Sequence, residues 1–169
     1  MKKIFVLISC TILTLSISAQ RYAYIDSEYI LENIPEYKTA QQELNDLSIT
    51  WEKEIDTNIT EIGRLNKKYQ ADKILLTDEM RAKREQEISA KEEEVKALQK
   101  KRFGVNGDLF KKRTELIKPI QDKIFNAIKK MAFEGSYAFV FDKANSATLI
   151  YTDPKYDKSD KILKNLGYK

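Results

Sequence analysis

Apolar residues recur every three or four positions through the middle of the chain, which is the spacing of one face of an α-helix. This stripe begins after Tyr37 and continues to about Ile74. Its members are Leu44, Leu47, Trp51, Ile55, Ile59, Ile62, Leu65 and Tyr69. The pattern predicts one long amphipathic helix whose remaining positions are polar or charged.

A second helical pattern follows and runs to Glu134. Thr77 or Asp78 is a suitable N-cap, and acidic side chains in the first turn favour a helix start there. The apolar positions of this pattern are Met80, Ile88, Val95, Leu98, Phe103, Phe110, Ile117, Ile120, Ile124, Ile128 and Met131. Two long helices joined by a short turn predict an antiparallel hairpin with its tip near residues 75–79.

Two prolines and two glycines indicate where this hairpin bends. Pro35 and Pro119 lie equally far from Thr77 along the chain, so both should lie at the base of the hairpin, where proline disrupts a helix. Gly104 and Gly107 interrupt the second helical pattern and predict a loosened or kinked turn. All four residues are candidate hinges.

Three short strand patterns flank the hairpin, at residues 22–26, 137–142 and 147–152. Each is apolar on both alternating faces, which predicts a sheet that is covered on both sides. Residues 157–166 then predict a short helix that ends at Gly167.

The fold class that follows is α+β and mostly helical. A small strand-containing body is expected from residues 20–36 and 119–169, and the helical hairpin forms an arm from residues 37–118.

A narrow helical seam and three short strands cannot bury a large core within one chain. Association through the body would bury apolar faces and pair open strand edges, although the residues themselves leave the number of copies open. The candidate oligomer contacts in the body are Tyr22, Tyr24, Ile25, Tyr137, Phe139, Phe141, Leu149 and Ile150.

The N-terminus has the pattern of a secretory signal peptide over residues 1–19, with two lysines, an apolar run and a small-residue stretch that ends at Ala19. A competing interpretation takes Leu7-Ile8-Ser9-Cys10 as a lipoprotein processing site. Because the apolar run continues past Cys10, we favour cleavage near Ala19, which leaves Gln20 first and removes the only cysteine.

The available chemistry argues against an enzyme. The chain has no histidine, and without Cys10 it has no thiol, so the usual general base, soft metal ligands and nucleophile are missing. The five glycines form no phosphate-binding loop. Net charge is +4, of which Lys2 and Lys3 contribute two, and this near balance does not indicate nucleic acid. We therefore expect no catalytic residue, no cofactor and no metal.

Three segments resemble the Skp/OmpH family of periplasmic chaperones: Tyr22-Ala-Tyr-Ile-Asp-Ser-Glu-Tyr-Ile-Leu, Pro35-Glu-Tyr-Lys and Tyr137-Ala-Phe-Val-Phe-Asp, with the charged hairpin between the last two. The likeness covers essentially all of the chain after the signal peptide. It implies a periplasmic homotrimer whose bodies assemble through β-strands and whose arms surround a cavity for unfolded outer-membrane proteins. The activity it implies is ATP-independent holding, with no cofactor.

In that family the clients meet the inner surface of the arms. The candidate client contacts here are Trp51, Ile55, Ile62, Leu75, Leu76, Met80, Val95, Leu98, Phe103 and Phe110. Packing of one helix on the other is the alternative explanation for residues at helical spacing, so Leu75 and Leu76 at the turn are favoured.

A structural coiled-coil adaptor of the cell envelope, without chaperone activity, is the alternative function. Interruptions at Gly63 and at residues 104–107 favour the chaperone, because an adaptor needs a continuous seam. The basic clusters alternate with acidic residues and indicate, at most, weak contact with a membrane surface.

Overall fold

The computed structural model describes residues 20–144 and 149–168. Its regular elements are β1 (Arg21–Ile25), α1 (Ser27–Glu32), α2 (Pro35–Asp72), α3 (Asp78–Phe103), α4 (Asp108–Glu134), β2 (Tyr137–Asp142) and α5 (Ser159–Leu166). The mostly helical α+β fold class is thereby confirmed. The predicted signal peptide, including Cys10, lies outside the described residues.

The chain divides into two units. The body unit combines the chain up to Asn33 with Ile124–Lys169, and the arm unit is Ile34–Lys123.

The arm unit begins with α2, whose first residue is Pro35. Proline is well suited to this position because the first backbone N–H of a helix has no intrahelical partner. After α2 the chain reverses through a single 3₁₀ turn at Lys73–Leu75. The Thr77 hydroxyl then accepts a hydrogen bond from the Met80 N–H at 3.3 Å and caps α3. A short turn with a side-chain cap thus connects two long helices.

Side-chain pairs across the hairpin show that its helices are antiparallel. Each pair joins α2 to α3 or α4 and is centred on residue 77 or 78. The pairs are Tyr69 with Glu85, Glu54 with Arg102 and Glu43 with Lys112.

A break separates α3 from α4 at residues 104–107, which confirms the predicted interruption. Asn106 adopts a left-handed conformation with a φ of 60°. A β-carbon at Gly104 would collide with the carbonyl oxygen of Lys100, and one at Gly107 would lie 2.8 Å from that of Lys101. Glycine is therefore required at both ends of this turn.

At Pro119 the helix does not break: Pro119 lies inside α4, which runs from Asp108 to Glu134, and its role as a hinge stays a prediction. A proline removes only one backbone donor, and the neighbouring Ile117 and Ile120 side chains are buried and anchor this part of the helix.

In the body unit, β1 and β2 form a parallel two-stranded sheet with Tyr22 opposite Phe139 and Tyr24 opposite Phe141. Residues 149–152 do not form the predicted third strand, while 147 and 148 lie outside the described residues.

The segment before α5 takes the place beside β1 instead. A capped turn at Pro154–Tyr156 redirects the chain, and the Lys158 N–H then donates to the Tyr24 carbonyl at 2.9 Å. Asp157 forms an isolated bridge with Tyr24. At the end of this segment, α5 stops at Gly167, which has a φ of 89° and confirms the predicted helix stop.

The expectation of a sheet covered on both sides is also wrong within this chain. Tyr22, Phe139 and Phe141 are exposed on one face, whereas Ala23 and Ile25 are buried on the other. The buried apolar side chains of the body unit are Ala23, Tyr24, Ile25, Ile30, Ile124, Ala127, Met131, Ile162 and Leu163. Tyr24 and Ile25 therefore belong to this core rather than to a free oligomer surface.

The end of β2 is tied to the start of α1 by the Asp142 carboxylate. It accepts hydrogen bonds from the Ser27 backbone N–H at 3.1 Å, from the Ser27 hydroxyl at 2.6 Å and from the Ala144 N–H at 3.1 Å. One carboxylate thus joins three donors from two segments.

Replacing Asp142 by alanine should lower the free energy of unfolding by about 2–3 kcal/mol, because it removes the carboxylate that accepts two partly buried hydrogen bonds from Ser27. Urea denaturation followed by circular dichroism measures the loss. The control is Asp122→Ala, which removes an exposed carboxylate paired with Lys118 on the same helix and should cost less than about 0.5 kcal/mol. Equal losses in the two variants would contradict the role given to Asp142.

Candidate interaction surfaces

The tip of the arm exposes a cluster of apolar side chains, Ile74, Leu75 and Met80, which we call the tip patch. The exposed fractions of Ile74 and Leu75 are 89% and 85%. Ile74 and Leu75 lie in the 3₁₀ turn between the two helices, and Met80, also exposed, lies in the first turn of α3. Leu76, in contrast, is half-buried, so of the two leucines that the sequence favoured, Leu75 offers more of its side chain to a client.

Polar contacts hold the base of the tip patch. The buried Tyr69 donates a hydrogen bond to Glu85, and this bond raises the pKa of the Tyr69 phenol above its ordinary value. The Arg81 guanidinium donates to the Lys73 carbonyl at 2.9 Å, and the Lys73 ammonium lies 5.5 Å from the centre of the Tyr69 ring. The apolar side chains are thus presented on a turn that is fixed from both helices.

The surroundings of the tip patch are basic. Residues 64–84 contain seven Lys or Arg and three Asp or Glu, which gives a net charge of +4. The full chain also has +4, of which two belong to Lys2 and Lys3, so the rest of residues 20–169 carries −2. Positive charge is therefore concentrated where the apolar side chains are most exposed.

A second apolar cluster lies at the break between α3 and α4. It consists of Phe103, Val105 and Phe110, which we call the break patch, and the exposed fraction of Val105 is 98%. Val105 was missed by the sequence analysis, because a residue within a helix interruption has no place in a helical stripe. Phe103 and Phe110 were among the candidate client contacts.

Arg102 holds the break in place. Its guanidinium donates to Asp108 at 2.9 Å and to Glu54 at 3.2 Å, and it lies 4.9 Å from the centre of the Trp51 ring. The Trp51 ring meets Phe103 edge-on, with ring centres 6.3 Å apart. Arg102 therefore links the end of α3 to α2 and to the start of α4, a role that no sequence pattern indicated.

The seam between α2 and α3 accounts for several other candidate client contacts. Ile55 and Val95 are buried, which favours packing of the two helices as the explanation for their spacing. Trp51, Ile62 and Leu98 are half-buried. Ile62 and Leu98 border a shallow groove of about 330 Å³ that also has acidic walls.

The body unit carries a third apolar surface, which we call the sheet strip. Tyr22 stacks on Phe139 with ring centres 6.0 Å apart, and Phe139 lies 6.3 Å from Phe141. Tyr137 is half-buried under the Arg21 guanidinium. Of the remaining oligomer candidates, Leu149 is half-buried and Ile150 is exposed, and neither is part of a strand.

Within residues 20–144 and 149–168, no helix is long and apolar enough to cross a membrane. The same residues contain no group of three or more side chains arranged to hold a metal ion.

The fold defines the class of protein: a small parallel sheet has two strands, and a long helical hairpin lies between these strands in sequence. The model of the OmpH-like outer membrane protein family matches residues 21–166, so the chain belongs to that family.

A crystal structure from Caulobacter crescentus CB15, provisionally described as an OmpH-like outer membrane chaperone, is similar to this chain. The TM-score is 0.69 at 11% sequence identity, over 88% of this chain and 85% of that one. No curated protein matches the chain.

Proposed function

We propose that this protein is an ATP-independent periplasmic holdase, exported by a signal peptide that is cleaved near Ala19. Its clients are unfolded outer-membrane proteins, whose aggregation it prevents. Membership of the OmpH-like family and the description of the Caulobacter structure support this class of function. No cofactor and no catalytic step are needed.

The observation that carries the proposal is the tip patch. An unfolded outer-membrane protein exposes many short apolar segments, and Ile74 and Leu75 offer them apolar contact without a closed pocket. The break patch provides a second contact of the same kind on the arm. Several weak contacts hold a client without fixing one conformation, and the positive charge at residues 64–84 attracts its acidic segments.

The proposed assembly is a homotrimer that forms through the body units. The exposed aromatic rings of the sheet strip are the surface that such an assembly would bury. Weak contact of the basic tip with a membrane surface is compatible with this arrangement.

Light scattering tests the proposed activity directly. An unfolded outer-membrane β-barrel protein is diluted from denaturant with and without the protein that lacks residues 1–19, and the oligomer mass is measured on the same sample. We expect aggregation to be suppressed at about one trimer per client. An intact oligomer that leaves aggregation unchanged would favour the envelope adaptor instead.

The double variant Ile74→Ser/Leu75→Ser tests the tip patch. Each apolar side chain lost from a client contact removes about 1–2 kcal/mol, so client affinity should fall at least about tenfold. The dissociation constant for a fluorescently labelled, unfolded client measures this change.

The matched control is Ile49→Ser/Ile59→Ser, which removes two exposed isoleucines from the middle of α2. It should change client affinity less than about threefold. An equal loss in both variants would mean that exposed apolar area anywhere on the arm unit serves the client and that the tip has no special role.

A further inference from the structure

The first residue expected in the exported chain, Gln20, lies directly before the fold. β1 begins at Arg21, and Tyr22 already pairs with Phe139 in the sheet. Export and cleavage after Ala19 would therefore leave no spare residues between the new N-terminus and the body unit. The inference below rests on that cleavage, which belongs to the proposed function.

Gln20 borders a groove of about 560 Å³ in the body unit. The groove is lined by three tyrosines, three basic residues and Gln20 itself, and none of these seven residues is acidic: Gln20, Arg21, Tyr22, Tyr137, Lys155, Tyr156 and Lys158. A free α-amino group at Gln20 would add a further positive charge to this basic surface.

The basic residues of the groove already have partners. The Arg21 guanidinium donates to the Gly135 carbonyl at 2.8 Å, and the Lys158 ammonium donates to the carbonyls of Lys155 and Asp157, both at 2.9 Å. Lys155 forms an ion pair of 2.7 Å with Asp153. These contacts hold the positive charges in place. None of the seven lining residues has a carboxylate that could pair with another ammonium group.

The side-chain amide of Gln20 is held by Tyr22. The Tyr22 hydroxyl donates a hydrogen bond to Gln20 Oε1 at 2.9 Å. A donor on this oxygen polarises the amide carbonyl and stabilises the negative charge that develops there when a nucleophile attacks the carbon. The nucleophile within reach in a chain that starts at this residue is its own α-amino nitrogen.

We propose that Gln20 becomes pyroglutamate in the exported protein. The α-amino nitrogen forms a bond to the side-chain carbon Cδ, the bond from Cδ to Nε2 breaks, and that nitrogen leaves as ammonia. No oxidant, reductant or second substrate is required. The five-membered lactam keeps the oxygen that Tyr22 contacts and removes the terminal charge, as other terminal modifications do.

This modification would also protect the sheet. If an aminopeptidase removed two residues, Tyr22 would become the terminal residue. The next cleavage would then remove Tyr22, which is the partner of Phe139 in the sheet. A pyroglutamate N-terminus lacks the free amine that such enzymes recognise, so the strand stays complete.

The test is mass spectrometry of the full-length protein after export into a bacterial periplasm. Digestion before Asp26 releases the terminal segment of residues 20–25, and we expect its mass to be about 17 Da below that of the linear peptide, which corresponds to loss of ammonia. A synthetic linear peptide of residues 20–25 carried through the same procedure measures cyclisation caused by handling. Gln20→Ala should show no such loss, and Tyr22→Phe should slow cyclisation several-fold.

The possible results separate this inference from the proposed function. A terminal segment that begins at Gln20 but is linear overturns the modification and leaves export intact. A chain that begins elsewhere overturns both the modification and the cleavage near Ala19, while the light-scattering experiment still decides whether the protein holds clients.

Discussion

Replacing Phe139 by aspartate should dissociate the proposed oligomer while each chain stays folded. Phe139 is the central ring of the sheet strip and is 55% exposed in the single chain, so the monomer tolerates a charge there. In an assembly that buries the strip, the same carboxylate would be desolvated without a partner. A central aromatic contact contributes about 2–4 kcal/mol per copy, so association should weaken at least about 30-fold.

Sedimentation velocity over a range of concentrations measures this effect, and circular dichroism checks that the helices persist. The matched control is Phe110→Asp, which changes the same residue type at 53% exposure in the arm unit and should leave the mass unchanged. A Phe139→Asp variant that retains the wild-type mass would show that the sheet strip is not the interface. A monomeric wild-type protein would remove the trimer from the proposed function.

A second large effect is expected at Arg102. Its replacement by alanine removes two ion pairs and the contact with the Trp51 ring, and it leaves Asp108 and Glu54 without their cation. We expect the free energy of unfolding to fall by about 2 kcal/mol, less than for a fully buried pair because Arg102 keeps partial exposure to solvent. Amide hydrogen exchange should accelerate at residues 100–112 and stay unchanged in the first half of α3.

Two further variants sharpen this experiment. Arg64→Ala removes an exposed arginine that pairs with Glu61 on the same helix, and it should change neither stability nor exchange measurably. Arg102→Lys keeps the charge but loses the planar group that contacts two carboxylates and the indole, so an intermediate loss is expected. Faster exchange spread evenly along α3 would contradict a local role for Arg102.

Features set by local chemistry could be predicted from the sequence. The stripe through Leu44 and Tyr69 is a property of consecutive turns of one helix, and the Thr77 cap and the glycine turn at residues 104–107 depend on neighbouring residues only. These features were located correctly because nothing distant in the chain competes with them.

Features set by distant contacts were predicted poorly. Residues 149–152 have a strand-like composition, but the place beside β1 is taken by Asp157 and Lys158, which a propensity argument cannot foresee. The sheet was expected to be covered because its residues are apolar on both faces. In this structure Tyr22, Phe139 and Phe141 stay exposed, and the apolar pattern alone does not show whether anything covers them.

The candidate client contacts illustrate the same limit. A helical stripe shows which residues share a face, but it does not separate Ile55, which is buried in the seam, from a residue that stays free. The better signal for an exposed apolar side chain was its position in the turn between the helices. Ile74 and Leu75 are neighbours in that turn. The partners of Arg102 lie 6 and 48 residues away and follow no spacing rule.

The parallel pairing of β1 with β2 also sets the order in which the chain can fold. Arg21 and Tyr137 are partners although they lie 116 positions apart in the sequence, and such a contact forms slowly because a long loop must close first. A chain exported from its N-terminus would therefore present an unpaired β1 until the entire hairpin had followed. The sheet strip, and any assembly through it, would form only after the hairpin had been exported, so a chain still in transit would lack the complete surface.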